Sequence, residues 1–335
     1  MNEVPPTFSV GRKPEGVTLR ADPWMPEFGM GFEAFVEEED EGQVDAKVES
    51  EDWSRPVVPA ARPPRDLWFV DGVRRVDLRL IASRGGQRSP GLIGSFAVGS
   101  VRCAERARFG EVMVGRSVIL GGGLVPERFE LRRGSTILAF EPLTVPGIEP
   151  DLPLWRLQRL MRDAEAALAA RIAGAERSVI LADGPLTFHE PTKCPIVGMA
   201  KRFHRLYISN EQGELLSHLG KGQRTPLFLL GRPESGVRRY AWYARIAHLP
   251  APWHDQTAIV RCEVRATLPI DEAIELADEV TARLPTYAGR RADPRTPQNL
   301  APIAGLETWL RHRMGDTRLV RRAALSWLRA TEMAP

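Results

Sequence analysis

Two apolar runs, Leu67-Trp68-Phe69-Val70 and Ser178-Val179-Ile180-Leu181-Ala182, each end in Asp-Gly, and an amphipathic segment stands between them. From Leu154 to Ile172 apolar residues recur at helical spacing, and Pro153 suits a first turn, where a missing N–H costs nothing. Other strand-like stretches flank this helix: Val76–Ile81, Leu92–Val101, Val112–Leu120 and Thr136–Phe140. Several strands, a crossover helix and a further strand imply a mixed α/β sheet flanked by helices. Beyond it, Leu206–Ser209, Leu227–Leu230, Tyr240–Ala247 and Ala258–Val264 read as strands, and Asp271–Leu284, Leu300–Met314 and Thr317–Ala330 as helices. Arg84-Gly85-Gly86 and Gly121-Gly122-Gly123 read as turns.

The formal charge of +3 over 335 residues conceals a division. Residues 1–52 hold 4 Lys+Arg against 14 Asp+Glu, a net of −10, and the remainder carries +13. Residues 1–60, with the run Glu37 to Glu41 and the prolines around Pro56, Pro59, Pro63 and Pro64, read as an acidic, Pro-rich N-terminal arm. Trp24, Phe28, Phe32 and Phe35 are its large apolar residues, suited either to anchoring it or to a loosely packed tail. Residues 61–335 contain no linker-like stretch and read as one elaborated domain.

Several classes are excluded. No run of about 18 apolar residues occurs, so no membrane span is expected. The first residues have neither a basic nor an apolar signal region, and Cys103, Cys194 and Cys262 are widely spaced with no C-x-x-C, so a reducing cytoplasm is the expected location. There is no H-E-x-x-H and no G-x-x-x-x-G-K-[ST], which removes a zinc hydrolase and a P-loop ATPase.

The chemistry-bearing candidates are carboxylates. Asp71 and Asp183 follow apolar runs, where ligand sites of open α/β sheets gather. For Asp71 a plain hairpin turn is the competing reading, because Asp-Gly is a strong turn signal. On the helix, Glu165 falls at the edge of the apolar stripe Leu157, Met161, Ala164, Leu168, Ile172, and Asp163 points away. Two readings of Glu165 stand: a salt bridge to Arg162 or Arg171, or convergence with Asp71 and Asp183 on a cation. Three hard oxygen ligands suit magnesium or manganese better than zinc. Lys201, one of 5 lysines against 41 arginines, is placed to hold a phosphate or to be a solvated surface group. Arg290, Arg291 and Arg295, with Gln298 and Asn299, precede a helix and offer either a phosphate-contact surface or an arginine-covered helix start.

Taken in order, FVDGV at Asp71, MRDAEAAL at Glu165, ILADGPL at Asp183, GMAKRF at Lys201 and the late stretch PQNLAPIAGLE resemble the NurA nuclease family over about residues 65–325. The resemblance implies an RNase H-like, Piwi-related core and a Mn2+- or Mg2+-dependent deoxyribonuclease, with endonuclease and 5′–3′ exonuclease action on DNA ends. It further implies a homodimer working with the hexameric HerA translocase, in double-strand break repair and homologous recombination or in phage defence. By position, Asp71, Glu165 and Asp183 would be the metal-binding carboxylates and Lys201 the basic catalytic residue. Mechanistically, Lys201 with Arg290, Arg291 and Arg295 would grip the DNA backbone. One departure stands out: archaeal members carry a Tyr and a His near the C-terminus, and here Thr296 precedes Pro297 with no histidine in the segment. The alternative is a non-catalytic RNase H-like adaptor that docks a translocase on DNA.

Overall fold

The computed structural model describes residues 8–9, 17–22, 43–61, 63–126, 128–133, 136–173, 178–186, 192, 194–201, 206–231, 238–248, 253–254, 256–289 and 297–333. Its elements run β1 (Phe8–Ser9), β2 (Thr18–Asp22), β3 (Val44–Asp45), β4 (Asp66–Arg84), β5 (Gln87–Cys103), β6 (Ala107–Leu120), β7 (Phe129–Arg133), β8 (Thr136–Thr144), α1 (Leu152–Ile172), β9 (Ser178–Asp183) and β10 (Ile196–Ala200). There follow α2 (Asn210–Gly213), α3 (Leu215–His218), β11 (Phe228–Leu230), β12 (Arg239–Arg245), β13 (Ile259–Arg265), α4 (Ile270–Tyr287), α5 (Ala301–Arg313) and α6 (Thr317–Met333).

The strands form a mixed sheet in the order β1-β7-β8-β6-β5-β4-β9-β10-β13-β12-β11-β3, with β2 also paired to β4. β4, β9 and β10 are mutually parallel, and β9 is reached from β8 by the crossover through α1. On one face α1 buries Leu157, Met161, Ala164 and Leu168 against Val70, Val98 and Ile180. On the other, α4 and α5 bury Leu276, Val280, Leu306 and Leu310 against Phe69, Val179 and Val197. Alternation separates the two layers: Phe69 and Val73 of β4 with Val179 and Leu181 of β9 face one side, and Val70 with Ile180 and Ala182 the other; a bulge between Val76 and Leu78 reverses the parity further along β4.

Leu67–Val70 and Val76–Ile81 are parts of one strand, so Asp71-Gly72 is not a turn. Both residues stay extended and pair with Gly99 and Val98 of β5. Gly72 is there because of α1: a Cβ at this position would lie 2.5 Å from Glu165 Oε1 and 2.8 Å from Met161 Cγ. The true hairpin comes later, at Gly85 and Gly86, whose φ values of 56° and 84° suit a two-residue turn. Leu206–Ser209 is not a strand either. Ser209 and Gln212 form a capping box that starts α2, the Ser209 Oγ accepting from the Gln212 N–H at 3.2 Å.

Parts of the acidic arm belong to the body. β2 pairs with β4, and Val17 and Leu19 are buried with α6 residues Val320, Ala324 and Trp327. At the opposite edge β3 pairs with β11, and Glu49 accepts from both Arg224 Nη1 and Nη2 at 2.8 Å. The acidic run 37–41 and the aromatic residues 24, 28, 32 and 35 lie outside the described residues.

Candidate metal centre

The site begins where the sheet is incomplete. β5 takes one edge of β4 from Leu67 to Arg84. On the other edge β9 covers Asp66–Val70 and β2 covers Arg79–Ser83, so among the described residues 71–78 have no strand partner on that side. Asp71, Arg74 and Arg75 stand on this notch.

Phe69 and Val73 belong to the layer beneath α4 and α5, and Asp71 between them takes the same face. Val179 and Leu181 do likewise, so Asp183 ends β9 on that face. Opposite Asp71 on β5 is Gly99, where a Cβ would lie 2.8 Å from Leu310 and 3.3 Å from Leu306. The missing side chain lets α5 approach the sheet at the level of Asp71. Glu307, set among the buried Ile303, Leu306 and Leu310, is thereby delivered to the two aspartates. Asp71, Asp183 and Glu307 offer oxygen atoms that all lie within 4.8 Å of one another.

One residue past β10, Lys201 Nζ donates to Asp183 Oδ2 at 2.6 Å and to Asn299 Oδ1 at 3.2 Å. Asn299 is 3% exposed, so it is a wall of this site and not a surface contact. Gln298 is half-buried beside it, and Arg290, Arg291 and Arg295 lie outside the described residues.

Burial pushes the Asp71 carboxyl well above the usual carboxylate range, and the neighbouring Asp183, Glu165 and Glu307 charges push the same way against the pull of Lys201. Asp71 Oδ2 is buried without a hydrogen-bond partner among the described residues, and so is Asn299 Nδ2. A buried acid with an unoccupied acceptor beside two more carboxylates fits a cation, which would satisfy the oxygen and cancel the repulsion. The cluster can therefore hold a metal ion.

Glu165 is near Asp71 but is not in the group of oxygens within 4.8 Å of one another. It approaches from the α1 side over Gly72, and its Oε2 accepts from Arg162 Nη1 at 3.0 Å. The same nitrogen donates to the Asp183 carbonyl at 2.6 Å, so Arg162 ties α1 to the end of β9. Glu165 thus has the ion pair to Arg162, and the third carboxylate of the cluster is Glu307. The structure brings Asp71, Asp183 and Lys201 together and adds Glu307, which the sequence reading passed over. Its signal was a lone acid on the apolar stripe Ile303, Leu306, Leu310 of an expected helix.

No protein-family model matches the chain, and comparison with curated proteins returns no match.

Proposed function

We propose that this chain is a Mn2+- or Mg2+-dependent deoxyribonuclease of the NurA type, with an RNase H-like core, that processes DNA ends. The observation that carries the reading is the convergence of Asp71, Asp183 and Glu307 with Lys201 bonded at their edge. An all-carboxylate donor set favours a hard cation. Such an ion would polarise a phosphoryl oxygen and activate water at neutral pH. Asp71, whose carboxyl is held above the usual range by burial, would have to be ionised to hold the ion, which would couple occupancy to pH. Lys201, held by Asp183 and Asn299, presents an ammonium where charge would develop on a reacting phosphate. An adaptor without catalysis leaves the gathering of three acids unexplained.

The sequence has no P-loop, so ATP-driven DNA movement belongs to another chain, and a HerA-type hexameric ATPase is the partner the resemblance implies. A homodimer, a cytoplasmic location and a role in break repair or phage defence rest on the same ground. The test is a nuclease assay with Mn2+ on single- and double-stranded DNA, with and without the ATPase. Wild-type protein should cleave and Asp183→Ala should not. Undiminished cleavage by purified Asp71→Ala or Asp183→Ala protein would overturn the reading.

A further inference from the structure

Next to the carboxylates, the notch opens into a cavity of about 780 Å3 lined by Arg74, Arg75, Arg311, His312, Asp316 and Thr317, among others. Its polar walls are held in place. Arg75 Nε donates to the buried Asp77 Oδ1 at 2.6 Å, and its Nη1 donates to the Gly315 carbonyl at 2.9 Å and to Thr317 Oγ1 at 3.0 Å. Arg116 Nη2 donates to the Met314 carbonyl at 3.1 Å. Two arginines thus clamp the α5–α6 turn against the sheet and set the positions of Arg311 and His312 at the end of α5.

The lining is cationic: Arg311 and His312 are exposed at the end of α5, and Arg74 reaches the same cavity from β4 with its Nε donating to Gln158 Oε1. Asp316 is the one acid among the described lining residues, and its Oδ1 accepts the Leu319 N–H at 3.0 Å as the cap of α6. Burial and then the nearby Arg162 cation lower the Arg74 guanidinium from its ordinary range, as expected where positive charge is crowded. Arg311 Nη2 reaches Glu307 Oε2 at 3.5 Å, which joins the cavity to the metal centre. Along β4, Arg74 lies three residues beyond Asp71, about 10 Å at strand spacing.

We propose that this cavity seats a phosphodiester group of a bound nucleic-acid strand, adjacent to the phosphodiester presented to the carboxylates. The identity of the strand rests on the nuclease reading above; the anion site itself does not. Arginine forks and a histidine at a fixed turn suit a phosphate, and backbone contacts of this kind set the register of a strand without reading its bases.

The test uses the full chain in EDTA, so that the carboxylates hold no metal. Inorganic pyrophosphate is titrated by calorimetry and a fluorescein-labelled oligothymidylate by anisotropy, against wild type, Arg74→Gln, the double variant Arg311→Gln/His312→Ala at exposed positions, and Arg171→Gln as a remote control. The cavity variants should weaken both probes about tenfold, and each lost contact should reduce the salt slope of oligonucleotide binding by about 0.7. Arg171→Gln should match wild type. Cavity variants that match the control with both probes overturn the proposal. Weaker pyrophosphate binding with unchanged oligonucleotide binding overturns the strand assignment. Failure of the nuclease reading shows separately, as absent Mn2+-dependent cleavage by wild type.

Discussion

Replacing Asp71 by Asn should make the metal-free protein more stable while removing its response to metal. With oxygens within 4.8 Å, each carboxylate pair repels by about 3.5 kcal/mol at an effective dielectric of ~20. Asp71 takes part in two such pairs, so its gross repulsion is about 7 kcal/mol before the offset from Lys201. Protonating an ordinary Asp at pH 7 costs only about 4 kcal/mol, so the proton is the cheaper escape and the penalty is capped near that figure. Asp71→Asn should therefore gain about 1–4 kcal/mol at pH 7 in EDTA, or roughly 2–8 °C in Tm for a large domain. The sign follows from linkage. The folded-state carboxyl is raised, so its unfavourable contribution is absent below about pH 4 and grows as pH rises toward the folded value. The advantage of Asn should accordingly vanish near pH 4. Adding Mn2+ at about 100 times its Kd should stabilise wild type by about 2.7 kcal/mol and leave Asp71→Asn nearly unchanged. Thermal melts across pH 4–8, with and without Mn2+, read all of this. An Asn variant that is less stable than wild type in EDTA at pH 7, or that gains as much from Mn2+, would show the buried acid to be structural and the cluster not to be a metal site.

Three other outcomes follow from the geometry. Glu307→Gln should lower Mn2+ affinity about tenfold or more, measured by calorimetry, whereas Glu165→Gln should change it less than about threefold; equal losses would mean that α1 supplies a ligand. Arg224→Met removes the partner of Glu49 and Asp278, which are bonded to it at 2.8 Å, and should cost about 3–5 kcal/mol in denaturant unfolding. The same variant should open the 43–57 segment to protease, since the Arg224 guanidinium is what holds Glu49 of that segment; a segment that stays protected would refute this. Burial raises the Cys103 thiol to about 11 and pushes Cys262 up as well, so native protein should resist alkylation at both up to about pH 8.5, with rapid labelling at either residue counting against the packing.

Much of the order along the chain was legible because period and punctuation are local. The helix at α1 and the runs LWFV and SVILA are visible in residue spacing, and the alternation of β4 and β9 puts Asp71 and Asp183 on one face. The same local rules misread Asp71-Gly72 as a break, since a glycine that makes room for Glu165 looks like a glycine that makes a turn. They also passed over β10, whose short IVGMA run carries little period of its own and is defined by its neighbours β9 and β13. β2 and β3 were hidden in an acidic, proline-rich tract because their pairing partners are distant in sequence.

Local pattern determined which residues are strand, helix and buried acid; packing alone decided which acids meet. Glu165 and Glu307 have the same standing in sequence, each a carboxylate in a helical apolar stripe. α1 covers the face of β4 that carries Val70 and α5 the face that carries Phe69 and Asp71, admitted by Gly99, so Glu307 reaches Asp71 and Asp183 and Glu165 bonds Arg162. The unpaired stretch of β4 between β9 and β2 likewise belongs to no single segment, and it is where the arginines of the +13 body come to stand beside the acids. A helix's periodicity states which side of it is apolar, and only the completed sheet states what that side will touch.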